Sequence, residues 1–210
     1  ATQRRAVQAR GNAKREAILS AAWDVFREAG YPAASMDEVT RRAGGSKVSV
    51  YAHFGSKAAL FEAVVRWRAE IVAASYLVAN VPTRDIEEAL TALATAILAG
   101  MTSVAVQDLH RVALSAQPGD KDVGKLLYEH GTLRVVRGAA AVLERGMKAG
   151  ELREDDPMAA AESLFGLLLG TGYIRFALGV PERLSAARRR QRVSRAVDIF
   201  LAAYRTAKDR

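Results

Sequence analysis

Apolar residues recur three and four positions apart along nearly the whole chain, the spacing of helices that bury one stripe. Strand-like alternation bounded by hairpin turns is absent, and neither Asn-Gly nor Asp-Gly occurs. A first helix is predicted over residues 12–29, with Ile18, Ala22, Val25, Phe26 and Ala29 inward and Gly30 as its stop. Ser35-Met36-Asp37-Glu38 reads as a capping box opening a second helix that ends near Ala43. Gly44-Gly45 then supplies a tight turn, Ser46 caps a short third helix to Phe54, and Ser56 caps a long fourth one through Trp67, Ile71 and Tyr76. Beyond Pro82, Thr83 is expected to cap a fifth helix to about Gly100. A shorter one follows over 104–116, and another over 120–149 is irregular near Gly131. Pro157 and Pro181 stand in the first turns of two more, reaching Leu178 and Tyr204. The sum is an all-α chain of about nine helices.

Composition narrows the chemistry. The 210 residues contain no cysteine, which excludes disulfides, thiolate metal sites and cysteine nucleophiles. The first residues lack an apolar leader-like core, and the richest apolar run, 164–169, is far too short for a bilayer. The expectation is a cytoplasmic protein without a membrane partner. The net charge of +8 divides as +5 over residues 1–66, −3 over 67–180 and +6 over 181–210. A basic leading segment points weakly to a polyanion there. The histidines are His53, His110 and His130, and no HExxH or nucleophile-elbow pattern accompanies them. Neither an enzyme nor a cofactor is expected.

The second and third predicted helices, joined by a glycine turn and preceded by an amphipathic helix, match a helix-turn-helix. Met36, Val39, Ala43, Val50 and Phe54 would pack on Ile18, Ala22 and Phe26. Lys47, Ser49, Tyr51 and His53 would then face outward, a suitable set for base edges and phosphates in a major groove. Each has a plainer reading alone: a solvated lysine, a core tyrosine, a helix-end histidine. Arg4, Arg5 and Arg10 form a basic arm, expected as a disordered tail before any minor-groove assistance is invoked.

Residues 15–64 resemble the TetR family of regulators. The resemblance rests on Ile18-Leu19, Ala21-Ala22, Phe26-Arg27-Glu28-Ala29-Gly30-Tyr31, Ser35-Met36 with Val39, and Arg42-Ala43-Gly44. It continues through Ser46-Lys47, the run from Val50 to Lys57, and Leu60-Phe61. It covers about a quarter of the chain with order and spacing kept. It implies that Ser35, Tyr51, His53 and Lys57 meet phosphates, that Lys47 and Ser49 face bases, and that Arg41 or Arg42 reaches the backbone or a base. Two departures stand out: Gly45, where the family usually has valine, could loosen the turn. Val48, where the family usually has a small residue, could touch a thymine methyl or alter operator preference. With Ser46 these residues make up the expected DNA face.

The same resemblance implies two domains. Residues 1–55, with the basic arm, would be the helix-turn-helix DNA-binding domain, and residues 56–210 a larger helical bundle that binds an effector and dimerises. The last two helices would form the homodimer interface, with Leu164, Leu168, Gly172, Phe176, Val197, Phe200, Leu201 and Tyr204 as candidates. Their spacing alone does not say which face the protomer's own core. An unidentified small molecule is expected among Trp67, Ile71, Met101, His110, Tyr128, Phe165 and Tyr173, for each of which packed core is the commoner role. The Arg188–Arg195 cluster reads as a solvated helix face. The expected function is a transcriptional regulator, a repressor by the family's commoner habit, that binds a palindromic double-stranded operator as a dimer and is released by its effector. The competing readings are a helical small-molecule carrier and a nonspecific DNA-binding protein.

Overall fold

A computed structural model describes residues 2–77, 85–115, 123–178, 180 and 184–206. Its helices are α1 (Thr2–Ala33), α2 (Met36–Arg42), α3 (Lys47–Phe54), α4 (Lys57–Leu77), α5 (Ile86–Met101) and α6 (Val104–Leu114). α7 (Val123–Leu127) passes through a π-helical turn, Tyr128–Thr132, into α8 (Leu133–Lys148). α9 (Pro157–Leu169), α10 (Gly172–Ala177) and α11 (Ala186–Tyr204) complete the series. The all-α expectation holds; among the described residues the exception is an isolated bridge between Leu152 and Arg205. Among the described residues, counting α7 with α8 and α9 with α10 gives nine, in line with the expected about nine; a π turn separates the first pair and Gly170 (φ 49°) the second.

The ends of these helices follow local chemistry, with instructive shifts. The backbone is helical from Thr2, so the basic arm is the leading part of α1 rather than an unstructured tail; the side chains of Arg4, Arg5 and Arg10 lie outside the described residues. Gly30 (φ 76°, ψ 164°) interrupts α1 where a stop was expected, and only a short turn follows to Ala33. α5 is capped by Asp85, whose side chain accepts from the Glu87 amide, instead of Thr83. α11 is capped by Ser185 and begins at Ala186, five residues beyond Pro181. Thr83, Pro82, Asp120 and Pro181 are themselves outside the described residues. Asp156 caps α9 with Pro157 in its first turn, as the sequence suggests.

The chain divides into two compact units. The first joins residues 1–70 to 108–131, the second joins 71–107 to 132–210, so α4 and α6 each contribute to both. The first core gathers Ile18, Leu19, Ala22, Trp23, Val25 and Phe26 of α1 around Val39, Val50, Leu60, Phe61 and Val64, with Leu109 and Val112 of α6 and Leu127 of α7. Ala29 is exposed, and Trp23 takes an inward place that the predicted stripe omitted. The second core is a bundle of α5, α8, α9 and α11, filled mainly by Leu90, Ile97, Leu98, Leu143, Leu164, Leu168, Val197 and Phe200. α8 and α5 approach closely at Gly146, where a Cβ would stand 2.8 Å from Ile86 Cδ1. Among the described residues no single helix is long and apolar enough to cross a membrane.

Candidate nucleic-acid interface

α2 and α3 are set by two caps and one turn. Ser35 Oγ accepts from the Asp37 amide at 3.2 Å and starts α2. Glu38 turns away from the cap to Arg41 and Arg42, so the reciprocal half of a capping box gives way to side-chain ion pairing. The turn after α2 places Gly44 at φ 64°, the left-handed region that glycine enters without strain. The Gly45 amide donates to Thr40 O at 3.3 Å with an ordinary φ. Gly44 therefore needs glycine, whereas Gly45 does not. Ser46 Oγ then accepts from the Ser49 amide at 3.2 Å, and Gly55 (φ 73°) ends α3. Ser56 Oγ accepts from the Ala59 amide at 3.1 Å and starts α4.

With both ends fixed, the 3.6-residue period decides which side chains α3 buries. Val50 is fully buried, and Phe54 packs partly into the first core with Met36 and Ala43. Ser46, Lys47, Val48, Tyr51 and His53 are exposed; of the expected outward set Lys47, Ser49, Tyr51 and His53, Ser49 is half-buried. Val48 is 80 % exposed.

The cations around this face differ in what they already hold. Glu38 accepts from Arg41 Nε at 2.8 Å and Nη2 at 2.6 Å, and from Arg42 Nε at 2.7 Å. Hydrogen bonds from Arg41, then Arg42, pull its carboxyl down to about 2; the bond to Glu38 raises the Arg41 guanidinium, and bonds to Glu28, then Glu38, raise that of Arg42. Arg42 also reaches back to Glu28 of α1 at 2.7 Å, lowering that carboxyl. Arg42 is thus a tie between α1 and α2, while Arg41 keeps most of its side chain in solvent. Lys57 Nζ donates to Pro32 O at 2.9 Å and sits 4.8 Å from the Tyr31 ring, which packs in the first core. Lys47, the lone lysine or arginine of α3, lies 2.7 Å from Asp37 Oδ1. The hydrogen bond to Asp37 raises it above the ordinary lysine range. The sequence reading missed Asp37 and Glu28: opposite charges ten and fourteen positions apart carry no local signal, and only the α1–α2–α3 packing brings them together.

This arrangement is an exposed helix of eight residues, capped at both ends, whose outward side carries one ammonium, a hydroxyl, a phenol, an imidazole and a methyl-bearing tip. Residues 18–64 match the family model for bacterial regulatory proteins of the tetR family. Residues 88–206, more than half of the chain, match the model for the AefR-like transcriptional repressor C-terminal domain. The chain belongs to the TetR family of transcriptional regulators. It is a helix-turn-helix DNA-binding regulator, of a family that does not consist of enzymes. The HTH-type transcriptional activator FasR of Mycolicibacterium smegmatis is 49 % identical over 53 residues, 25 % of this chain and 24 % of that protein. The match to the curated relatives thus spans about a quarter of their length. Solved structures match across nearly everything. A TetR-family regulator from Mesorhizobium loti has a TM-score of 0.82 at 29 % identity over 94 % of this chain and 99 % of its own. The flavonoid-responsive regulator FrrA has a TM-score of 0.73 at 28 % identity over 93 % and 99 %.

The remaining expected site residues fall as follows. Trp67, His110 and Tyr128 belong to the first unit: Trp67 packs partly against its core, His110 is 7 % exposed, and Tyr128 is exposed in the π turn. Trp67 and Trp23 flank the Arg68 guanidinium at 5.8 and 4.6 Å. Ile71, Met101, Phe165 and Tyr173 belong to the second unit; Met101 and Phe165 are half-buried against its core, whereas Ile71 and Tyr173 are exposed. Of the dimer candidates, Leu164, Leu168, Val197, Phe200, Leu201 and Tyr204 are buried in the protomer's own second core, Gly172 and Phe176 half-buried in α10. The residues that α9 and α11 expose include Gly166, Leu167, Arg188, Gln191, Arg195 and Ile199. Between these two helices runs a groove of about 440 Å³ lined by Leu167, Leu184, Ile199 and arginines of α11.

Proposed function

We propose that this regulator is a homodimeric repressor that reads a near-palindromic double-stranded operator in the cytoplasm and is released by a small-molecule effector. The observation that carries the reading is α3: Val50 anchors it, and Lys47, Val48, Ser49, Tyr51 and His53 face outward. Lys47 and Ser49 face bases, Val48 supplies apolar contact to a thymine methyl, and Tyr51 and His53 meet phosphates. Ser35, Ser46, Arg41 and Lys57 hold the flanking backbone. An ammonium has three donors, so the bond from Lys57 to Pro32 leaves others for a phosphate. Arg42 acts through its tie to Glu28.

Dimerisation is assigned to the exposed sides of α9 and α11. Gly166 has no neighbour within 4 Å of its Cβ direction, which leaves room for close helix approach, and Leu167 and Ile199 stand exposed beside it. Such an isologous pairing presents two copies of α3 to half-sites about one DNA turn apart. The repressor assignment is supported by the match of residues 88–206 to a repressor C-terminal domain. The effector assignment is supported by likeness to FrrA, which responds to flavonoids. We place the functional division at 55/56, with effector binding in 56–210 by residues from the set Trp67, Ile71, Met101, His110, Tyr128, Phe165 and Tyr173. α4 and α6 each belong to both compact units, so an effector that prefers one arrangement of these helices shifts operator affinity by its differential binding.

The test is selection of bound duplexes from a random DNA pool by the purified chain and by Lys47→Ala. The expected result is a two-fold symmetric site, with preference at particular bases relaxed in the variant by about 1–3 kcal/mol. Equal base preferences in the two proteins would remove Lys47 from its role, and flat affinity across all duplexes would favour nonspecific binding.

A further inference from the structure

The acidic residues near α3 are not equivalent. Glu28 and Glu38 are engaged by Arg41 and Arg42, within and between α1 and α2. Asp37 instead stands in the first turn of α2 with its side chain 68 % exposed, and it holds Lys47 Nζ, itself 60 % exposed, at 2.7 Å. The amide of Asp37, not its carboxylate, serves the Ser35 cap, so the α2 terminus does not need the carboxylate for that bond. A bare carboxylate at the edge of a surface built to meet phosphates opposes binding to every duplex alike. A lysine without a tether does the reverse: it is a flexible point charge that attracts any phosphate.

We propose that Asp37 is a specificity-determining residue: by holding Lys47 it withholds that ammonium from indiscriminate phosphate contacts and releases it to a base edge that replaces the carboxylate as acceptor. The inference rests on the reading of α3 as the base-contacting helix. A guanine, with O6 and N7 both accepting in the major groove, meets that requirement, whereas adenine offers an acceptor beside a donor. Pinning also restricts the Lys47 chain before binding, so its position along the groove is set by α2 as well as α3. Asp37 thereby raises discrimination and lowers affinity for all DNA.

The test uses the full chain as wild type, Asp37→Asn, Lys47→Ala and the double variant, each measured for base preference in a random duplex pool and for affinity to one fixed random duplex across a salt series. Asparagine keeps the size and the backbone bond to Ser35. For Asp37→Asn the expected results are affinity for the random duplex about three- to tenfold higher, a salt slope about one unit steeper, and flattened preference at the base pair facing Lys47. In the Lys47→Ala background Asp37→Asn leaves base preference unchanged, a result that a merely structural role would not give. If Asp37→Asn lacks either the gain on random duplex or the flattened preference, or changes base preference without Lys47, the assignment is overturned. If wild type itself selects no sequence, the reading of α3 fails, and this inference with it. Selection by wild type alongside an unaltered Asp37→Asn overturns only the role of Asp37.

Discussion

The two compact units are built on different kinds of core. In the first, aromatic rings interlock: Phe26 and Phe61 meet edge to face at 5.1 Å, and Tyr31 and Phe61 at 5.0 Å. The Tyr31 amide also donates to Ser115 Oγ, just after α6, at 3.1 Å. In the second, the buried set is largely aliphatic, and Phe200 and Tyr204 stack at 4.3 Å. The first unit leaves its chemically distinctive residues on the outside of a short helix, while the second puts most of its patterned residues inside. The first unit therefore has its proposed task written on exposed positions of α3, whereas the second hides the residues that look most informative and exposes small or charged ones.

That contrast is sharpest where a large side chain is removed. Phe61→Ala should cost the first unit about 3–5 kcal/mol and abolish DNA binding, because it empties the centre of the aromatic cluster. Leu164→Ala should cost the second about 2–5 kcal/mol. The companion variant Ile199→Ser should leave protomer stability within about 0.5 kcal/mol while weakening self-association. Thermal unfolding and sedimentation read the two together; dimer loss from Leu164→Ala without loss of fold would reverse the division of α9 drawn above.

A smaller effect belongs to Gly146. Its Cβ direction runs into Ile86 Cδ1 at 2.8 Å and Leu152 Cδ1 at 3.0 Å, so Gly146→Ala should destabilise the second unit by about 1–3 kcal/mol as those side chains shift. Denaturant midpoints measure it, and an unchanged midpoint would mean that the α5–α8 approach is looser than described. At the turn of the first unit the sign reverses. Gly45 has an ordinary φ and nothing within 4 Å of its Cβ direction, so Gly45→Ala should stabilise by about 0.4–1 kcal/mol through the unfolded chain. The same change at Gly44, with φ 64°, should destabilise.

The smallest expected effect is a pH response confined to the first unit. Glu38 titrates at about 2 when folded, against an ordinary 4.5, because Arg41 and Arg42 favour its charged form. Its stabilising contribution is present above the ordinary carboxylate range and is lost as pH falls toward 2. Melting of wild type against Glu38→Gln across that window should converge at the acid end; parallel curves would show that the pairs contribute nothing, as many exposed ion pairs do.

What was legible beforehand follows the range of the forces involved. Ser35, Ser46 and Ser56 cap their helices as read, because a cap is a bond between a side chain and an amide two or three residues away. The inward turn of Val39 and Val50 followed from helical period alone. Glu38 illustrates the limit: its spacing from Ser35 fits a capping box, yet two arginines on its own helix compete for it and win. Thr83 and Asp85 are both good caps two positions apart, and α5 took the second.

The sequence by itself determined the all-helical class, the caps and turn that frame α2 and α3, and the polar side of α3, since each rests on contacts between residues close along the chain. Tertiary structure alone decided that Lys47 is held by Asp37 and Arg42 by Glu28, and that Leu164, Leu168, Val197 and Phe200 fill the protomer's own core. An apolar stripe records only that a helix has a side to bury. Which neighbour covers it depends on how distant segments pack, and helical period carries no information about that.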